Sequence, residues 1–344
     1  MIRSLLLACT AFGLAATSVS VTIAAPPFAV AKTIALGNPT KWDFVVFDPV
    51  MDRAYFSHDT EVSVLDGRTG AVLGELKGID GSHGIAPIPA LNRVIADSGR
   101  NHMAYVYNAH SFKKIAAISV VIDADGMTYD PVSDEVFVFG GDAKATSVID
   151  PKTDKVVATI PLGGSPEEAV PDGRGHVFVN ISDRAEIARI DTRTNKISAM
   201  WNVPMCPDIH GLAIDPQTHR LFASCKGNGT MIVVDAHDGK VLDELPIGLG
   251  TDGAGFDPTT HLAFSSNKDG TLSVIKENGP DKFTDLGNVR TALGAKNMAV
   301  DPKTGRVFLV TADVKSELKG KPNEAPDFKF IPGTLHAIFL DPAP

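Results

Sequence analysis

The chain reads as an all-β protein, a seven-bladed β-propeller with four-stranded blades. Three observations lead there. One phrase recurs seven times at a nearly constant period, each period holds four short alternating apolar runs, and a lone strand-like segment precedes the first copy. The phrase opens on a polar residue, runs through small and apolar ones to a turn that is usually Asp-Pro, and resumes as a second apolar run. "DGMTYDPVSDEVFVFGGD", "HGLAIDPQTHRLFASCKGN" and "KNMAVDPKTGRVFLVTAD" are three of the copies. The copies begin at Asp43, His83, Asp125, Glu167, His210, Asp252 and Lys296, at spacings of 40, 42, 42, 43, 42 and 44 residues. Fixed-period self-similarity in the low forties marks a propeller blade.

Each element within the period has a local reason. The first two runs alternate apolar and small residues with period two, as strands do. In the Asp-Pro corner, Asp caps the turn through its side chain and Pro sets φ. A polar loop and a third run such as "TSVID" or "MIVVD" follow, then a turn of the form Asp-x-x-Thr-x-Lys and a fourth run such as "VVATIPL". The seventh copy ends at "TLHAIFLDPAP", a third strand with nothing after it. Residues 28–36, "FAVAKTIAL", read as its missing fourth strand. Pairing them with residues 334–339 closes the ring and removes its open edges. The expectation is one propeller domain over residues 26–344. A long loop over 313–333 falls within the last blade, either as a lid or as a disordered segment.

Composition sets outer limits. At 44% hydrophobic and 21% charged residues, the 344-residue chain can bury a large core. A net charge of −9 with no basic run argues against nucleic acid and anionic membrane surfaces as partners. The N-terminus carries Arg3, an apolar stretch and small residues, the outline of a secretory signal peptide over residues 1–24. Thr22 and Ala24 suit cleavage after Ala24, with Ala31 as the alternative. Leu-Leu-Ala-Cys9 has the form of a lipoprotein box, but only eight residues precede the cysteine, short for an export signal. No later stretch is long and apolar enough to span a membrane. The expected location is the periplasm or the exterior. Removing the leader leaves Cys206 and Cys225, which flank the first two strands of one blade. Antiparallel neighbours bring those ends together, so a disulfide is expected.

With these residues in view, the chain resembles the YVTN-repeat, YncE-like propellers of bacterial periplasms. The resemblance rests on the "VFVN", "VFLVTAD" and "LAFSSNKDGTLSV" runs, the Thr-x-Lys turns and the "GSPEEAV" and "PIGLGTDGAGFDP" blade starts. It spans nearly all of the chain beyond the leader and implies a propeller fold, an exported protein and a binding role.

In such a fold the first strand of each blade lines the central channel, so the seven opening residues form a ring at one mouth. Asp43, His83, Asp125, Glu167, His210, Asp252 and Lys296 supply four carboxylates, two imidazoles and one ammonium. Glycine follows at 84, 126, 211 and 253, where strands crowd the axis. Three readings stand for the ring. The groups cap strands; or a subset, His83, Asp125, Glu167, His210 and Asp252, holds a divalent metal ion; or the ring binds an organic ligand without metal. Like-signed carboxylates near one axis should raise one another's pKa. His58, Arg100 and His102, in loops at the same mouth, extend the ligand-binding set. As an enzyme, the same funnel would suit a metal-dependent hydrolase, lactonase or lyase, with His83, His210 or Glu167 moving protons. A third role is a protein-interaction scaffold, with another periplasmic protein as partner. The sequence holds no nucleophile, nucleotide or haem motif.

Overall fold

The structure is a computed structural model that describes residues 28–318 and 325–343. The expected leader, its Ala24 site and Cys9 lie outside the described residues.

Seven antiparallel sheets form the blades of a propeller. Their channel-lining first strands are Val45–Asp48, Ile85–Ile88, Ala124–Asp130, Pro166–Pro171, Ile209–Asp215, Thr251–Asp257 and Met298–Val300. Each lies beside the first strand of the next blade, and Met298–Val300 comes back to Val45–Asp48. In the first blade a single run, Arg53–Asp66, supplies the second and third positions. Its first half pairs with Val45–Asp48 and its second half with Val72–Ser82, around Asp59 at φ 52°. In the last blade Phe28–Gly37 lies antiparallel to Leu335–Pro342, from Phe28 opposite Pro342 to Gly37 opposite Leu335.

The apolar core comes in layers between blades. Each of seven buried clusters joins residues of two neighbouring blades, such as Phe178 and Ile187 with Leu212 and Leu221. The second strand of each blade is therefore buried on both faces. One of its positions carries Tyr55, Ile95, Phe137, Phe178, Phe222, Phe264 and Phe308 in turn, all with at most 1% exposure. A sheet sandwiched this way needs apolar side chains in both directions, which is why the second runs read as nearly continuous apolar stretches.

Cys206 and Cys225 are joined by a disulfide with Cα atoms 4.8 Å apart. Part of the 313–333 segment is a hairpin of Val314–Leu318 and Asp327–Phe330. Phe330 packs edge-on to Trp42, with ring centroids 4.7 Å apart, and Lys268 pairs with Asp327. No helix among the described residues is long and apolar enough to cross a membrane.

Candidate functional site

The ring forms because of repeated irregularities at the start of the first strands. In the third blade Ala124 pairs with Gly140 and Gly126 with Phe139, so Asp125 is an extra, unpaired residue. Asp252 is likewise extra between Thr251 and Gly253. One extra residue also falls within Glu167–Glu168 and one within His210–Gly211. A β-bulge bends its strand and re-aims a side chain, here toward the axis. Two residues before a ring position the backbone is left-handed at Gly81, Asp123, Asp208, Gly250 and Gly294. At Gly84 and Gly211 a Cβ would come within 2.8 Å of the next blade's backbone, so the expected crowding holds there.

The ring surrounds a cavity of about 230 Å³ lined by Asp43, Asp125, Glu167, His210, Asp252 and Lys296, together with Phe44, Glu168, Lys226 and Asn297. A second cavity of about 560 Å³ opens on the opposite side of the channel, between the first strands of the first four blades. Phe44, Glu167 and Glu168 line both.

The polar mouth has two halves. In one, His83 Nδ1 stands 2.7 Å from an Asp43 oxygen and 2.9 Å from an Asp125 oxygen. Ligand atoms of the three residues lie within 4.8 Å of one another. Burial opposes charge on His83, yet the hydrogen bonds to Asp125 and Asp43 outweigh it and push its pKa up to about 10. Burial raises Asp43 above the usual carboxylate range. Beneath them Asp97, fully buried, accepts the backbone N–H groups of His83 at 3.0 Å and Gly84 at 2.8 Å. Burial raises it strongly.

The other half is organised by cations around Asp252. Lys296 pairs with one of its oxygens, which also accepts from Asn297 at 3.2 Å, and Lys226 lies 3.4 Å from the other. Burial alone would raise Asp252, but Lys296 and Lys226 hold it well below the carboxylate range. The same carboxylate and Asp43 push Lys296 up to about 12, against its burial. Lys226 Nζ donates to His210 Nε2 at 3.0 Å, and burial lowers the His210 pKa, so this imidazole is neutral.

Two adjacent glutamates join the halves. Burial, with Asp125 and Asp252 nearby, pushes Glu167 up to about 8. Burial also pushes Glu168 up to about 8, although one of its oxygens accepts Leu212 N at 2.8 Å and Ala254 N at 3.1 Å. Both carboxyls hold a proton at neutral pH.

The five residues expected to share a metal therefore divide. His83 and Asp125 meet, with Asp43 completing their cluster, while His210 Nε2 stands 3.6 Å from Glu167 and 3.8 Å from Asp252. Glu167, His210 and Asp252 stand on the lysine side, where Lys226 occupies the His210 nitrogen that a metal would need. The three loop residues also stand apart from the cavity. His58 is fully buried with Nε2 2.8 Å from Ser63 Oγ, because its strand turns that side chain into the blade. Arg100 is paired with Asp80 and Asp59. His102 Nδ1 accepts the Asp123 amide at 3.2 Å. Glu168, Asn297 and Asp97 were missed in the sequence, and Lys226 stood only as part of a rim loop, "KGN". The Glu-Glu pair at a blade start and the lysine of "CKGN" were the available signals. A bulge that turns two successive residues to one side has no signature in alternation.

No family model and no curated protein matches the chain in sequence. Its fold is similar to that of solved structures. "Kuenenia stuttgartiensis Hydrazine Synthase" superposes with TM-score 0.69 at 15% identity, over 79% of this chain and 93% of that one. "Crystal structure of RRP9 WD40 repeats" gives 0.73 at 10% identity over 92% and 98%, and "Structure of U3-55K" gives 0.72 at 9% over 91% and 98%. At these identities the likeness establishes the seven-bladed propeller fold alone.

Proposed function

We propose that this chain is an exported propeller, of the YVTN-repeat, YncE-like kind, whose channel mouth binds a divalent metal ion and a small polar ligand beside it. The observation that carries the reading is the Asp43–His83–Asp125 cluster, three donors from three blades with ligand atoms within 4.8 Å of one another. Two carboxylates with one imidazole suit Zn²⁺ or Mn²⁺. The ion competes with the His83 proton for the same atoms, so uptake strengthens with pH. Across the cavity, protonated Glu167 and Glu168 offer O–H donors, and Lys226 and Lys296 offer ammonium groups to an anionic or carbonyl portion of the ligand. The repeat motifs support the family, and the leader supports export. Cleavage after Ala24 suits the fold better than cleavage after Ala31, which would remove Phe28–Val30 from their pairing with Leu340–Pro342.

A second reading, a metal-dependent hydrolase, lactonase or lyase at the same mouth, is favoured by one contact. Glu167, which holds a proton at neutral pH, lines the cavity 3.6 Å from His210 Nε2, placed to pass that proton to a group bound there.

Metal analysis of undialysed protein, then titration of chelator-stripped protein with Zn²⁺ and Mn²⁺, tests the main reading. Asp43→Asn with Asp125→Asn should remove one equivalent of bound ion while the circular dichroism of the fold persists. An unchanged stoichiometry in that variant would refute it.

A further inference from the structure

At the opposite face of the molecule three titratable side chains meet between the fifth and sixth blades. Asp215 ends a first strand of the fifth blade, His261 sits in the corresponding turn of the sixth, and Glu277 lies on the sixth blade's third strand, Thr271–Gly279. Their ligand atoms all lie within 4.8 Å of one another. Asp215 is fully buried and Glu277 only 3% exposed. One Asp215 oxygen caps the turn by accepting Gln217 N at 2.7 Å. Its other oxygen and both Glu277 oxygens are buried without a hydrogen-bond partner.

The other blades serve as internal controls. The residue at the Glu277 position, recognised by its N–H bond to the turn residue of its own blade, is Gly67, Ala109, Thr192 and Ala236 elsewhere. These are small residues in a tight place; a Cβ at Gly67 would meet Phe47 at 2.5 Å. Only the sixth blade puts a carboxylate there. The Asp215 position is also different. In the next two blades the corresponding second oxygens are bonded by Thr260 and Thr304. The matching Thr218 hydroxyl is instead buried and unpaired.

Neighbouring cations do not account for the pair. Arg220 is held by Asp235 and Asp281, and Lys276 by the Thr260 carbonyl. Two facing carboxylates with three unpaired buried oxygens are costly unless they share a proton or a cation lies between them. Half-exposed His261 and a surface recess of about 310 Å³, lined by Thr218, His261, Lys276 and Glu277, give access from solvent.

We propose that Asp215, His261 and Glu277 form a second divalent-metal site, for an ion of the Zn²⁺ or Mn²⁺ class, that clamps the fifth blade to the sixth. Two buried carboxylates and an imidazole match that donor preference. The position tolerates alanine in two other blades, so Glu277→Ala should fold, and without metal it should melt at or above the temperature of the parent. The test titrates Mn²⁺ and Zn²⁺ into chelator-stripped full-length protein, parent against Glu277→Ala and Glu277→Gln, each also with Asp43→Asn and Asp125→Asn. Both Glu277 variants should lose one equivalent of ion and the part of the metal-induced rise in melting temperature that the Asp43/Asp125 variant retains. The same stoichiometry with and without Glu277, or no ion bound by the Asp43/Asp125 variant, would overturn the proposal and leave a shared proton as the explanation of the pair. If the Asp43/Asp125 variant does not fold, loss or retention of one equivalent in Glu277→Ala alone decides it.

Discussion

Replacing Glu168 by Gln should make the protein more stable at alkaline pH and leave it nearly unchanged at acid pH. In the folded chain the Glu168 carboxyl holds its proton up to about 8, whereas an unfolded glutamate releases it near about 4.3. A raised folded-state pKa means that the native protein binds more protons between those values. Stability is therefore fully present below about pH 4 and falls as pH rises through 8. At about 1.4 kcal/mol per unit the full shift corresponds to about 5 kcal/mol. Glu168 lines a channel that water enters, and screening reduces the effect to about 2 kcal/mol. Glutamine reproduces the protonated acid, since its carbonyl can accept Leu212 N and Ala254 N as the carboxyl does. Urea unfolding of both proteins at pH 5.5, 7 and 8.5 measures the difference. The variant should already lead modestly at pH 5.5, above the unfolded pKa, and its lead should grow to about 2 kcal/mol at pH 8.5. Equal pH dependence in the two proteins, or a variant weaker at every pH, would refute a buried protonated Glu168.

Two further outcomes follow from the ring and its staple. Deleting residues 25–36 bares one edge of the last blade and removes the contact of Phe28 with Phe264, whose ring centroids lie 5.3 Å apart; thermal melts should show a loss at least as large as a major core truncation, about 3–5 kcal/mol, and a melt like that of the parent would contradict the role of that strand. Cys206 and Cys225 should give no free thiol on titration of unreduced, denatured protein, and the double alanine variant should lose about 3 kcal/mol in denaturant unfolding, as a chain-entropy estimate for a loop of this size suggests.

The blade count, the place of each first strand, the role of residues 28–36 and the Cys206–Cys225 pairing could all be read along the chain. Each depends on a local signal, a period-two run or a turn residue, that returns every forty-odd residues. The ring could be read as a set for the same reason, because equivalent positions in equivalent blades must share one mouth. Which of its members touch was settled only in three dimensions. His83 meets Asp43 and Asp125 while His210 meets Lys226, and nothing in the spacing separates the two histidines. Their directions come from bulges and left-handed residues at the strand starts, which rotate side chains without changing the hydrophobic pattern. His58 shows the converse: it stands in a loop-like phrase, yet its side chain is turned into the blade. Asp215, His261 and Glu277 were hidden most completely, because they belong to two blades and three different positions in the repeat. Repetition along the chain determines which backbone positions are equivalent; contacts between non-equivalent positions of neighbouring blades exist only once the ring has closed.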